Sequence, residues 1–409
     1  MNRLIPLLAF PSSLLLAVSF LLAAFALWRY ASKSRFVDFM TSAKTGICLL
    51  AIGALMLAVE GTWNVALHAT WPFAIYLGVL QLSLTLTLLK GLARKAGWGF
   101  MANHLGILLI VFGAYFGAPD VTRAKMQLLR EWPQNTAYTQ EGLTIPLPFR
   151  IQLKDFRVDY YDDGVSPKQF TSTLSIGGTE MQTAVNSPCR AEGYTILQSG
   201  YDRQEGRYTV LQLVKEPWLP VVYAGMLLMA LGAIRMLLGR WKARTTIHVI
   251  AVLTIGFTAF SIAKINFGTL MPALRSWWFV PHLFIYMVAY SLMALAVVMR
   301  WVEDRRPRLH GTTEGLVRSA SGLLILGMLA GAVWARQAWG DYWSWDAKEN
   351  WAAVTWLTTL VMLHMRHKQS TRAYIILILA FLALQITWYG VNYLPSAKGS
   401  LHTYNVSSN

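Results

Sequence analysis

Cysteine is nearly absent from this chain: two in 409 residues, Cys48 and Cys189. One falls in an apolar run and the other in a polar region far along the chain, so no structural disulfide is expected. A lone buried thiol such as Cys189 is first a small packing residue, and a redox role is disfavoured. No Cys-x-x-Cys-His run occurs, which excludes a chain carrying its own c-type haem. Charge is also scarce, at 14% of residues, and acids are outnumbered, 20 against 36 Lys and Arg. With 55% hydrophobic residues, that excludes an ordinary soluble enzyme. Internal repeats, low-complexity tracts and a nucleophile in a triad-like setting are all missing.

What is present is a series of long apolar runs. About ten are long enough to cross a bilayer, near 9–28, 42–59, 72–90, 100–117, 218–238, 246–264, 279–299, 315–335, 349–365 and 373–391. Basic clusters follow alternate runs: Arg29, Lys33 and Arg35; Lys90, Arg94 and Lys95; Arg235, Arg240, Lys242 and Arg244; Arg300, Arg305, Arg306 and Arg308; Arg366, His367, Lys368 and Arg372. The positive-inside rule places all five on the cytoplasmic face. The excess positive charge then meets anionic lipid headgroups, and nucleic acid is not an expected partner. The first run has only Arg3 before it and three basic residues after it. It reads as a retained helix with an external N-terminus rather than as a signal peptide.

Residues 118–217 differ in composition. Short stretches alternate apolar and polar side chains, as in Phe149–Phe156, Phe170–Ile176, Tyr194–Gln198 and Tyr208–Val214. Turn residues such as Gly164 and Gly177-Gly178 separate them. This pattern predicts half-buried β-strands in an external β-rich domain. The fold class is therefore a polytopic α-helical membrane protein with one external β-rich domain.

The densest chemical signal is Trp339-Gly340-Asp341-Tyr342-Trp343-Ser344-Trp345-Asp346-Ala347-Lys348-Glu349-Asn350-Trp351. An aromatic belt needs one or two Trp or Tyr per helix end. Four Trp here suit a large flat apolar ligand with a charged edge, against the plainer alternative of an interfacial loop. Two histidines, His282 and His402, flank it on the same side. His364 lies thirteen residues beyond Trp351, and His104 about fifteen before Pro119. Helix rise puts both roughly 20 Å below the outer boundary. Ionisable groups at such depth suggest function. His68, His248, His310 and His367 have no comparable setting and read as structural. Paired imidazoles beside a Trp platform point to haem iron. Zinc sites ordinarily add a third or fourth ligand, and neither pair has an evident one. Asp346 reads either as a helix N-cap or as a direct ligand contact.

The Trp339–Trp351 segment resembles the tryptophan-rich haem-handling motif of the cytochrome c biogenesis family CcsA. His282, His402 in its Leu-His-Thr-Tyr setting, and His364 in Leu363-His364-Met365-Arg366 are similar to that family's histidines. The N-terminal half resembles CcsB, also called ResB, through Val185-Asn186-Ser187-Pro188, Gly193-Tyr194, Gln198, Tyr201-Asp202 and His104-Leu105-Gly106. The whole resembles a compact CcsBA fusion, with an external domain shorter than in larger fusions.

That resemblance implies a haem lyase of the cytochrome c synthase type. Haem b, substrate and bound ligand at once, would be held by His104 and His364 and then by His282 and His402. Trp339, Gly340, Tyr342, Trp343, Trp345 and Trp351 would line its site, and His282, His402, Trp339, Trp343, Trp345 and Asp346 would be the catalytic residues. Arg275 or Lys348 would meet the propionates. Thioether attachment to Cys-x-x-Cys-His segments of apocytochrome c would follow, with a thioredoxin-like reductant as a further partner and the bacterial inner (cytoplasmic) membrane as location. The implied domains are 1–117, CcsB-like helices; 118–217, the β-rich domain; 218–244, a fifth helix and linker; and 245–409, the CcsA-like part. A haem exporter without ligation activity and a transmembrane haem electron carrier are the alternatives.

Overall fold

The computed structural model describes residues 8–397 except 64, 131, 204, 239–269, 307, 308 and 310. The expected span near 246–264 and His248, His310 and His402 lie outside the described residues. Ten α-helices occur among those described: α1 (Ser12–Ala31), α2 (Arg35–Met40), α3 (Ala43–Thr62), α4 (Trp71–Ala93), α5 (Trp98–Gly117), α6 (Leu219–Leu237), α7 (Phe279–Glu303), α8 (Thr312–Trp339), α9 (Ala347–His364) and α10 (Thr371–Trp388). Eight of them are long and apolar enough to cross a membrane, α2 and α9 being the others. α9 has 18 residues, but Lys348, Glu349 and several threonines make it more polar. The short α2 follows no apolar run of its own; Ser34 caps it by accepting the Val37 N–H at 3.2 Å.

α6 packs between α5 and α8, and α3 packs against α9, so helices from both halves of the chain interleave. The α5–α6 contact is close because it is built on glycine. A Cβ on Gly225 would sit 2.7 Å from the Gly106 carbonyl oxygen, so any side chain there would push the helices apart. Ala54 and Leu57 of α3 meet Ala353 and Val354 of α9 and Ala383 of α10 in a small core, with Trp343, Trp345 and Trp351 against it.

Between α5 and α6 the chain forms an eight-stranded antiparallel sheet: β1 (Thr122–Leu129), β2 (Gln134–Tyr138), β3 (Thr144–Tyr160), β4 (Pro167–Ile176), β5 (Thr179–Ala184), β6 (Cys189–Ala191), β7 (Tyr194–Tyr201) and β8 (Tyr208–Lys215). The order is β5-β4-β3-β2-β1-β8-β7-β6. It curls until its two ends nearly meet, and the Thr183 hydroxyl of β5 donates to the Ile196 carbonyl of β7 at 2.9 Å. Alternation gives β1 an inner face of Ala124, Met126 and Leu128, which joins Ile151, Leu174, Ile196, Leu211 and Leu213 in one core. Gln198 is buried there, and its amide donates to the Thr209 hydroxyl at 2.8 Å while its carbonyl accepts from Ser172 at 2.6 Å.

The sheet is docked onto the helices. Asp120 accepts from the Phe10 N–H at 2.6 Å, the Ser13 hydroxyl at 2.7 Å and the Trp218 indole N–H at 2.7 Å. This places the start of α1, the end of α5 and the start of α6 together at the sheet end of the bundle.

Candidate functional site

His104 stands in the second turn of α5 and His364 is the last residue of α9. Their rings are 6.2 Å apart, centroid to centroid, at 68°. Each Nδ1 lies against the carbonyl one turn back in its own helix, His104 to Phe100 at 2.9 Å and His364 to Leu360 at 2.8 Å. A carbonyl only accepts, so Nδ1 carries a proton, and in the neutral ring Nε2 then has the lone pair an imidazole needs to bind a metal. Two imidazoles on opposite sides of one ion, at about 2 Å per bond, separate their centroids by roughly 6 Å. The observed spacing suits one ion held between them. Among the described residues no group of three or more His, Cys, Asp or Glu is arranged around a metal position.

His104 and His364 line a cavity of about 1660 Å³, larger than the ~300–1,000 Å³ of most small-molecule sites. Its wall is mainly apolar and runs past Tyr76 and Gln81 to Trp343 and Trp345. Gln81 is fully buried, and neither atom of its amide has a hydrogen-bond partner among the described protein groups. At the other end Lys368 and Arg318 also face the cavity, both contacting Glu314 Oε1, at 2.9 Å and 2.5 Å.

The aromatic segment, Trp339–Asp346, divides into two faces. Trp339 packs on Trp334, ring centroids 5.1 Å apart, and Trp334 in turn lies 5.9 Å from His282. The His282 Nδ1 bonds the Gly327 carbonyl at 2.8 Å. Trp343, Trp345 and Tyr342 instead face the cavity. Burial pushes the Tyr342 hydroxyl up to about 12, so it stays protonated. Trp351 packs inward against Gly61 of α3. Arg275 is directed at the sheet, donating to the Lys168 carbonyl at 3.3 Å, and is not on the cavity wall.

Asp346 is the N-cap of α9. Its carboxylate accepts the Lys348 N–H at 2.8 Å, and Glu349 reaches back to accept the Asp346 N–H at 3.2 Å, a complete capping box. Glu349 also takes the Ser344 N–H at 2.7 Å and its hydroxyl at 3.0 Å. Glu349 thus shapes the loop, a role that spacing alone does not show. Asp346→Asn is expected to leave the thermal midpoint in detergent almost unchanged, because Asn caps as well. Asp346→Ala should cost about 1 kcal/mol. A large loss on Asp346→Asn would mean that the charge, not the cap, matters.

The sheet holds this loop from outside. Gln212 of β8 donates to the Trp339 carbonyl at 3.0 Å, and Gly340, at φ +88°, lies against Gln212, Val214 and Leu197. Arg336 and Glu216, 3.2 Å apart and both buried, join the end of α8 to the end of β8. Arg123 of β1 bonds Glu216 at 2.8 Å and Asp341 at 2.6 Å. Asn186 of the Val185–Pro188 segment donates to the Pro272 and Ala273 carbonyls at 2.9 and 3.1 Å, fixing the chain that leads into α7 and His282.

His68, expected to lack aromatic neighbours and to be structural, does have one. Its ring stacks on Trp345 at 4.5 Å and 5°, and its Nδ1 meets the buried carboxylate of Glu60. The neighbour comes from the far end of the chain, so local sequence around His68 does not reveal it. Trp345 adopts φ +60°, a left-handed conformation that costs a non-glycine residue about 1–3 kcal/mol. The Asn350 amide holds its carbonyl at 2.9 Å and the Phe73 ring meets it edge-on at 5.4 Å.

Cys189, in β6, is half-buried, and burial pushes its thiol up to about 11. With Cys48 replaced by serine, maleimide labelling of Cys189 should be slow at neutral pH. It should rise about tenfold per pH unit toward that value, since the thiolate is the nucleophile. Fast labelling at pH 7 would contradict it.

Comparison with known proteins supplies the family. Residues 218–397 match the family described as Cytochrome C assembly protein, and residues 85–207 match the ResB-like family. The chain is a ResB–CcsA fusion. It is similar to the cytochrome c biogenesis protein CcsA of Guillardia theta, 33% identical over 172 residues, covering 33% of this chain and 56% of that protein. CcsA of Amborella trichopoda is 29% identical over 206 residues, covering 38% of this chain and 65% of the relative. CcsA of Cuscuta exaltata is 43% identical over 89 residues, 21% of this chain and 29% of the relative. The fusion therefore spans less than two thirds of the length of these relatives. The ResB-like match includes His104 and the sheet through Tyr201, whereas the CcsA match includes His282, the aromatic loop and His364. The close pair His104–His364 is thus formed across the two halves.

Proposed function

We propose that this ResB–CcsA fusion is a cytochrome c synthase, which carries haem across the membrane and joins it to Cys-x-x-Cys-His segments of apocytochrome c. The observation that carries this reading is the His104–His364 pair, each ring held through Nδ1 and its Nε2 without a hydrogen-bond partner among the described residues, on the wall of one cavity that continues to Trp343 and Trp345. The buried, unpartnered Gln81 amide on the same wall also fits a passage for a cargo with polar edges. His104 and His364 would hold the iron from opposite faces. Lys368 and Arg318, beside His364, would meet the propionates in place of the more distant Arg275.

The aromatic loop, with His282 and His402, would present the cargo outside. Trp343 and Trp345 supply flat apolar contact. The reaction adds a substrate thiol across a haem vinyl group: sulfur bonds to one carbon, the thiol proton goes to the other, and nothing leaves. The chain's contribution is to hold two partners in register, a proximity effect. The domain limits 1–117, 118–217, 218–244 and 245–409, location in a bacterial inner membrane with the sheet outside, and a thioredoxin-like thiol reductant belong to this proposal.

Co-expression of this chain alone with an apocytochrome bearing one Cys-x-x-Cys-His segment tests it. Haem retained on the apocytochrome in a denaturing gel is the expected result. Haem-loaded fusion with no covalent product would instead establish a haem carrier without ligation activity.

A further inference from the structure

His68 has no part in the reading above, yet it is held as a metal-binding histidine is held. A ligating imidazole keeps one nitrogen free and donates the other N–H to a carboxylate or carbonyl, which orients the ring and raises its basicity. His68 Nδ1 is engaged by Glu60 Oε1, and the His68 backbone N–H donates to Glu60 Oε2 at 3.0 Å. Glu60 is buried and forms no ion pair with Lys or Arg among the described residues. Its carboxylate is therefore committed to this one residue. Stacking on Trp345 fixes the plane of the ring. Nε2 has no hydrogen-bond partner among the described residues, and the side chain is 30% exposed. His68 also lines the cavity that contains His104 and His364.

We infer that His68 is an axial ligand for the iron of transported haem at the outer end of the cavity, with Glu60 and Trp345 as its positioning residues. This rests on the proposal that haem is the cargo. A purely structural ion pair would account for the Nδ1 contact. It would not require a free Nε2 on the cavity wall beside the aromatic loop. The partners also differ along the path. His104, His364 and His282 each bond a backbone carbonyl, whereas His68 bonds a carboxylate. A carboxylate makes the stronger ligand, so the site near the loop draws the iron outward from the inner pair.

The test uses the full chain with His104, His282, His364 and His402 all changed to alanine, purified in detergent and titrated with haem. In this background, with Cys48 and Cys189 also changed to serine, His68→Cys should show the absorption signature of thiolate-ligated iron, which then arises only if position 68 touches the metal. His68→Ala should weaken haem binding at least tenfold, and Glu60→Gln about tenfold. The single variant His68→Ala, with the inner pair intact, should still retain haem there, which shows that the variant folds. If the wild-type chain binds haem but His68→Cys gives no thiolate signature and His68→Ala binds unchanged, the inference is overturned and the transport reading stands. If the wild-type chain takes up no haem, the transport reading fails and the inference with it.

Discussion

Replacing either His104 or His364 with alanine is expected to cut haem retention by the purified chain at least tenfold, a loss of about 1.4 kcal/mol or more. In the proposed site each helix would contribute one ligand, and the Nδ1 bonds to Phe100 and Leu360 hold both rings in place. Removing one ring leaves the other correctly tautomeric but alone. The vacated volume is the size of an imidazole, so added imidazole should restore part of the bound haem to either variant. Rescue of that kind separates a lost ligand from a misfolded helix. Absorption spectra of the purified variants, with and without imidazole, give the result. Unchanged haem content in both variants would remove the inner site.

How the pair arises shows what a sequence discloses. The matched depth of His104 and His364 follows from counting helix rise from Pro119 and Trp351. That they face one another does not, because rotation about each helix axis is set by packing. Here α5 is turned by its glycine contact with α6, and α9 by its packing on α3 and α10. The membrane helices were legible because apolar runs of about 20 residues have few alternatives in a bilayer. The strands were legible from alternation, but their order was not. β1 pairs with β8 across about eighty to ninety residues, from Thr122–Lys215 to Leu129–Tyr208. Nothing local to either strand encodes that partner.

The aromatic loop was legible as a site and not as two faces. Within it Trp345 takes φ +60°, a conformation that nothing in a tryptophan announces. His68 escaped for the same reason. Glu60 is eight residues before it, across a helix end, and Trp345 is in the other half of the chain. The capping box of Asp346 and Glu349 was half visible: the N-cap chemistry of Asp346 was readable, and the hold of Glu349 on Ser344 was not.

The second large effect is expected where the sheet meets the loop. Glu216→Ala should lower the stability of the detergent-solubilised chain by about 3–5 kcal/mol, because it leaves the Arg336 guanidinium buried without its anion. Arg336 also donates to the Gly340 carbonyl, so the loop loses its footing on α8 with the pair. The pair itself is another matter. Burial raises the Glu216 carboxyl above its ordinary range, outweighing the opposing pull of Arg336 and Arg123. The attraction of the two arginines therefore does not repay what Glu216 loses by leaving water. Geometry agrees: Glu216 Oε2 lies 3.2 Å from Arg336 without a well-formed hydrogen bond. It follows that Glu216→Leu combined with Arg336→Met should recover much of the loss but not all of it, since the Gly340 carbonyl and Arg123 each lose a partner. Thermal midpoints of the two single variants and the double variant form the cycle that measures this. A double variant as unstable as Glu216→Ala would show that the ion pair itself, and not the burial of a lone charge, secures the sheet against the aromatic loop.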